Sequence, residues 1–139
     1  MRSHRSEVSF PGGRVEEEET LAGAALREAW EEIALDPATV EIIATLAPLT
    51  TISSGALIHP FVGVLSAPPV TRANPAEVEL VFDVALAELL ADGVHHAEHW
   101  ELNGIRRDLH FFDLGTDIVW GATGRLLWEL LSRVTGTNG

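Results

Sequence analysis

A chain of 139 residues lies in the size range of one folding unit. With 46% hydrophobic and 22% charged residues it can build a core, which excludes a disordered class. The absence of cysteine excludes a disulfide framework and a thiolate metal site, while nine basic against 21 acidic residues (9 − 21 = −12) give a net charge that repels nucleic acid and points to divalent cations as the mediators of any contact with phosphate esters.

The first nine residues are polar, and no apolar run approaches the roughly 20 residues needed to span a bilayer, so a soluble, cytoplasmic protein with no membrane partner is expected. In chain order, residues 8–13 read as a short extended piece ending in Pro11-Gly12-Gly13. The acidic run 16–19 leads to Thr20, an N-cap candidate, and Leu21, Ala25, Leu26, Ala29, Trp30 and Ile33 recur at helical spacing, which predicts a helix over 20–33 ended by Asp36-Pro37. Strands are predicted over 40–46, 57–66 and 78–84 and are expected to share one sheet. A short helix over 85–90, a polar His-rich stretch over 92–99, a strand over 109–114 and a helix over 118–134 follow; the last carries the stripe Leu126, Leu127, Leu130, Leu131 and Val134. No repeat or long linker interrupts the chain, and 1–139 is read as a single domain.

The chemistry concentrates on the first helix. Glu28, Glu31 and Glu32 are three and four residues apart, so they project from one face and repel one another unless a cation neutralises them; hard oxygen ligands of this kind suit Mg²⁺ or Mn²⁺. The bland alternative for such a run is a solvated helix face, which is what most charge runs are. Arg27 can pair with Glu19 and tie loop to helix, a structural role. Gly12 and Gly13 let the backbone come close enough for a carbonyl, that of Gly12, to join a metal shell. Glu16, Glu17 and Glu18 read as exposed loop charge.

Gly13, Glu19 and the run Arg27-Glu28-Ala29-Trp30-Glu31-Glu32-Ile33-Ala34-Leu35 together resemble the Nudix box, departing from it only at Ala34, where the box has glycine. The resemblance implies an α/β/α sandwich around a mixed sheet and a metal-dependent pyrophosphohydrolase. A second resemblance, to coenzyme A pyrophosphatases, rests on Arg2, on Phe10-Pro11-Gly12-Gly13, on Asn74-Pro75-Ala76-Glu77-Val78 and on Ile118-Val119-Trp120-Gly121-Ala122-Thr123; Ser6 stands where that family has glycine. It implies cleavage of the pyrophosphate of coenzyme A or acyl-CoA, a nucleotide diphosphate derivative, to 3′,5′-ADP and a 4′-phosphopantetheine product. Metal would be held by Glu28 and Glu32 with Glu31, and either Glu31 or Glu77 would act as the base. For Glu77 the plain alternative is a surface carboxylate at a strand edge.

Arg2, Arg5 and Arg14 flank this region and could meet substrate phosphates, against the default of solvated charge. His95, His96, Glu98 and His99 could form a zinc cluster, but loop polarity explains them adequately. Trp120, Trp128 and Phe111 read as core rather than as a base-stacking platform. Two rivals stay open: a Nudix hydrolase of ADP-ribose or nucleoside triphosphates, and a nonhydrolytic Nudix-like domain that binds a ligand. The resembled family also has a strand before the segment 2–13. The fold as numbered is therefore expected to lack an N-terminal strand, with the reading frame continuing upstream, or with a homodimer filling the gap by a swapped segment.

Overall fold

A computed structural model describes residues 2–3, 7–51 and 55–136, the first two by their backbone only. The elements are β1 (Arg2–Ser3), α1 (Leu21–Ile33), β2 (Val40–Thr45), β3 (Leu49–Thr50), β4 (Leu57–Ile58), β5 (Phe61–Leu65), β6 (Val78–Leu80), α2 (Leu86–Leu89), β7 (His95–Leu102), β8 (Ile105–Asp113), β9 (Ile118–Val119) and α3 (Gly121–Thr135). The class is α/β, as the sequence implies. They fall into two compact units, one of Met1–Leu49 with Leu57–Phe82 and one of Thr50–Ala56 with Asp83–Gly139. Among the described residues no helix is long and apolar enough to cross a membrane.

In the first unit α1 begins where expected, with the Thr20 side chain accepting from the Gly23 N–H. Its end also falls where expected, at Ile33, but for a different reason. The helix stops at Ile33 because Ala34 turns left-handed (φ 59°), its N–H reaching the Ala29 and Trp30 carbonyls; Asp36-Pro37 instead opens a separate 3-10 turn over Pro37–Thr39. Ala34 thus adopts the conformation that glycine takes without steric cost. The helix buries Ala24, Ala29, Glu32 and Ile33, whereas Leu21 and Trp30, read from periodicity as part of its apolar face, are exposed.

Among the described residues the strands of this unit do not form one sheet. β2 pairs antiparallel with β5 through a bulge between Ile42 and Ala44, and β6 pairs antiparallel with β1. The segment before β6 is held elsewhere: Arg72 and Asn74 donate their backbone N–H groups to the Ile33 and Glu32 carbonyls at the end of α1, both at 2.8 Å. Those carbonyls have no partner within the helix, and this segment satisfies them. The predicted 57–66 strand is also split, into β4 and β5, by His59-Pro60.

In the second unit β7, β8 and β9 form one antiparallel sheet. The polar 92–99 stretch is not a loop; most of it is the first half of a β7–β8 hairpin whose turn residues, Asn103 and Gly104, both have positive φ (52° and 76°). Asn-Gly is the strongest short hairpin signal a sequence carries, and it marks this turn. α3 starts at Gly121 rather than 118, because residues 118–119 pair with β8. Its buried face is Gly124, Leu126, Leu127 and Leu131, while Val134 is exposed. Gly124 lies directly against β8: a Cβ there would collide with the His110 carbonyl oxygen and sit 3.4 Å from that of Val119.

Candidate active site

The loop before α1 is bound to the helix by three separate devices. The Gly12 N–H donates to Glu32 Oε1 at 2.8 Å, across twenty residues of chain. Gly13 packs closely on Glu28: a Cβ would lie 2.6 Å from each carboxylate oxygen, so a larger residue would displace the end of the Glu28 side chain from its place beside Arg27; at Gly12 the same position is open space. Arg27 then acts as a hub. Its Nε and Nη2 donate to the two oxygens of Glu19 at 2.7 and 3.0 Å, and Nη2 also donates to the Arg14 carbonyl at 2.9 Å. Its Nη1 donates to Glu28 Oε1 and Glu31 Oε2 at 2.9 and 3.1 Å and lies 3.7 Å from Glu16. Glu16, read as free loop charge, therefore joins this network, and its N–H donates to Glu19 Oε1 at 2.7 Å.

The electrostatics separate the carboxylates. Glu19 is held below the usual carboxylate range, first by its hydrogen bonds from Arg27 and then by the Glu16 N–H; the Glu19 carboxylate in turn raises the Arg27 guanidinium above its already high value. Glu32 goes the other way. It is only 8% exposed, and burial pushes its carboxyl up; the Gly12 N–H offsets part of this, and the negative charges of Glu28, Glu77 and Glu31 add to it. Helical spacing places Glu32 beside Ala25 and Ala29 at the edge of the apolar face, where its carboxylate accepts the Gly12 N–H.

Glu77 reaches the same neighbourhood from another part of the chain. The turn that carries it is closed by the Glu77 and Val78 N–H groups on the Asn74 carbonyl at 3.0 and 2.8 Å, and Asn74 Nδ2 donates to the Glu31 carbonyl at 3.2 Å. Asn74 is the residue that reasoning from chemistry alone passed over, since a lone amide carries no catalytic signal. An Asn-Pro pair as a turn initiator was the available cue.

The oxygen-rich donor set and the charge left on buried Glu32 fit a hard divalent cation. The side chains are not gathered into a ready cage: among the described residues no group of three His, Cys, Asp or Glu converges on one point, and Glu28 and Glu31 lean on Arg27. The Gly12 N–H is turned to Glu32. Of the arginines read as phosphate contacts, Arg14 is exposed and offers its carbonyl to Arg27, Arg2 is described by backbone alone in β1, and Arg5, like Ser6, lies outside the described residues.

The histidines of the second unit are strand residues, and strand alternation sends them to opposite faces. His95 Nε2 and His110 Nδ1 are 2.9 Å apart, His96 bonds Glu98 at 3.0 Å, and His99 bonds Asp108 across the hairpin. Strand pairing, not loop polarity, accounts for them. Burial holds His110 at about 4, with the charges of His95 and Arg125 adding to the effect, and its ring stacks on Trp128 at 4.3 Å. Trp120 is not core. It is 53% exposed, because it precedes α3 rather than lying on its stripe, and it stacks on Phe111 at 5.8 Å.

A family model described as NUDIX domain matches residues 1–103. The chain is 33% identical over 135 residues to a Photorhabdus laumondii protein named Uncharacterized Nudix hydrolase NudL, covering 96% of this chain and 72% of that one. To the protein of the same name in Escherichia coli strain SMS-3-5 it is 34% identical, with 96% and 70% covered. To Nudix hydrolase 22, chloroplastic, of Arabidopsis thaliana it is 38% identical, over 91% of this chain but 44% of that one, so the chain spans less than half of the plant relative's length.

Proposed function

The chain belongs to the Nudix family, whose members hydrolyse phosphoanhydride bonds, and we propose that its substrate is coenzyme A or an acyl-CoA, cleaved at the pyrophosphate to 3′,5′-ADP and a 4′-phosphopantetheine product. The observation that carries a hydrolytic site is Glu32: a buried carboxylate beside the negative charges of Glu28, Glu31 and Glu77, of which Arg27 meets only Glu28 and Glu31, an arrangement that a further cation would relieve. The coenzyme A assignment is supported by the resemblance around Phe10–Gly13, Asn74–Val78 and Ile118–Thr123.

Mg²⁺ or Mn²⁺ held by Glu28, Glu31, Glu32 and the Gly12 carbonyl would neutralise phosphoryl oxygens and lower the pKa of bound water. The chain's own part is to fix the donors. Gly12 orients Glu32, and Arg27 restrains Glu28 and Glu31 on a shared Nη1 until they are needed. Glu31 or Glu77 takes the proton of the attacking water; its oxygen bonds to phosphorus as the bond from phosphorus to the bridging oxygen breaks. Arg2, Arg5 and Arg14 are suited to hold the substrate's phosphates by paired guanidinium contacts.

The test is turnover of coenzyme A, acetyl-CoA, ADP-ribose and nucleoside triphosphates with Mg²⁺ or Mn²⁺, products being resolved by chromatography. The expected result is the highest kcat/KM for the coenzyme A compounds, with 3′,5′-ADP released. Preference for ADP-ribose or a triphosphate overturns the substrate, and tight binding without any turnover overturns the hydrolytic reading.

A further inference from the structure

The three carbonyls that end α1 without a helical partner, those of Glu31, Glu32 and Ile33, all receive hydrogen bonds from one short segment. Asn74 Nδ2 serves Glu31 at 3.2 Å, the Asn74 N–H serves Glu32 at 2.8 Å and the Arg72 N–H serves Ile33 at 2.8 Å. Asn74 also builds the turn that follows. Its Oδ1 accepts the Ala76 N–H at 3.1 Å, and its carbonyl accepts the N–H groups of Glu77 and Val78 at 3.0 and 2.8 Å. A single residue thus bonds in one direction to the backbone of two candidate ligands and in the other to the residue that carries Glu77.

We infer that Asn74 is a positioning residue, which by bonding the end of α1 and the following turn together sets the Glu77 carboxylate against the Glu28, Glu31 and Glu32 cluster. The side chain is needed in a way its backbone is not. One amide end must donate to a carbonyl and the other accept from an N–H, which fixes the orientation of the group and excludes substitutes: ionised aspartate only accepts, and alanine does neither. Pro75 then fixes φ just beyond the latch, so the turn has little freedom with which to restore the geometry once the amide is gone. The contact spans 43 residues of sequence.

This inference rests on the hydrolytic reading for its catalytic consequence, and the experiment separates the two. Asn74→Ala, Asn74→Asp, Glu77→Gln and the double variant Asn74→Ala/Glu77→Gln are assayed on coenzyme A beside wild type. Expected for Asn74→Ala is a fall in kcat of roughly tenfold, about 1.4 kcal/mol of barrier, with KM little changed. Asn74→Asp should fall nearly as far, and Asn74→Ala should add nothing once Glu77 is glutamine, since the effect is routed through that carboxylate. A merely structural role would cost the same in both backgrounds, and that additivity, or an unchanged kcat in Asn74→Ala, overturns the inference. Two readouts need no turnover. Mn²⁺ affinity measured with the metal alone should match wild type in Asn74→Ala, and a large loss means that Asn74 acts on the helix cluster itself and overturns the route through Glu77. Amide exchange at Glu77 and Val78 should quicken in Asn74→Ala, by roughly tenfold or more for one lost latch, while the middle of α1 is unchanged. Unchanged exchange overturns the latch even if wild type proves inactive, a result that would by itself sink the hydrolytic reading.

Discussion

Glu32 on α1 and His110 on β8 are both buried titratable side chains, and burial pushes both toward their neutral forms. What surrounds them differs. His110 has its needs met inside its own unit, by a bond to His95 and a stack on Trp128, so nothing further is demanded of it. Glu32 has one backbone N–H and three negative neighbours, and Arg27 bonds two of those neighbours rather than Glu32 itself, a balance left open toward a cation. Burial alone therefore does not mark a site. An uncompensated charge among like charges does.

The comparison breaks most easily at Glu32. Glu32→Gln keeps the shape and the acceptor for Gly12 while deleting the charge, so turnover should fall by roughly a hundredfold or more, with Glu28→Gln nearly as severe and Glu17→Gln neutral. Without metal the same Glu32→Gln protein should melt higher by about 2 to 4 °C. The sign follows from the raised folded pKa of Glu32. Its favourable contribution is complete below the ordinary glutamate range and is lost as pH rises through the folded value, so at pH 7 the neutral amide keeps what the carboxylate forfeits. Mg²⁺ alone should raise the wild-type melting temperature with concentration and have little effect on Glu32→Gln. Near-normal turnover in Glu32→Gln would remove it from the ligand set.

Gly124→Ala tests the packing side. Its new methyl would collide with the His110 carbonyl, backbone that cannot swing away as a side chain can, so a loss of roughly 1 to 3 kcal/mol is expected by denaturant titration, with KM for the substrate unchanged. An unchanged midpoint would mean that α3 can shift off β8 at no cost.

Acid should find the second unit first. His110 titrates at about 4 in the fold and near 6.5 when unfolded, so its contribution is complete above about pH 6.5 and is lost as pH falls toward 4. Melts of metal-free protein should drop between pH 7 and 5, and His110→Phe should flatten that part of the profile. An equally steep profile in the variant would place the acid-sensitive group elsewhere.

The smallest effect is expected at the end of α1. Ala34→Gly removes the left-handed strain of a residue with a Cβ and should stabilise by about 1 kcal/mol, read as a higher denaturant midpoint. A decrease would show that the strain is outweighed by the flexibility glycine adds to the unfolded chain.

Much of this molecule is legible in local spacing. The helical period, the Thr20 cap and the placement of Glu28, Glu31 and Glu32 within one turn of each other are properties of a few consecutive residues, and α1 could be read from them to within a residue. The β7–β8 hairpin was equally marked by Asn103-Gly104, and the His-rich stretch beside it is strand rather than loop. Where the strands pair was not readable, because pairing joins residues far apart in sequence, as does the bonding of Arg72 and Asn74 to the end of α1, a contact no periodicity encodes.

The sequence by itself determined which residues carry charge, at what helical intervals, and hence the family and the candidate ligands. Only the tertiary structure decided that Glu32 is buried while Glu31 is not, that Gly13 rather than Gly12 lies against Glu28, that Arg27 holds four glutamates, and that Asn74 brings a turn from elsewhere in the chain against the end of α1. The physical reason is range. Helical geometry is fixed by bonds four residues apart, whereas desolvation and the hydrogen bonds that offset it depend on groups twenty to 43 residues away, which meet only when the chain has folded.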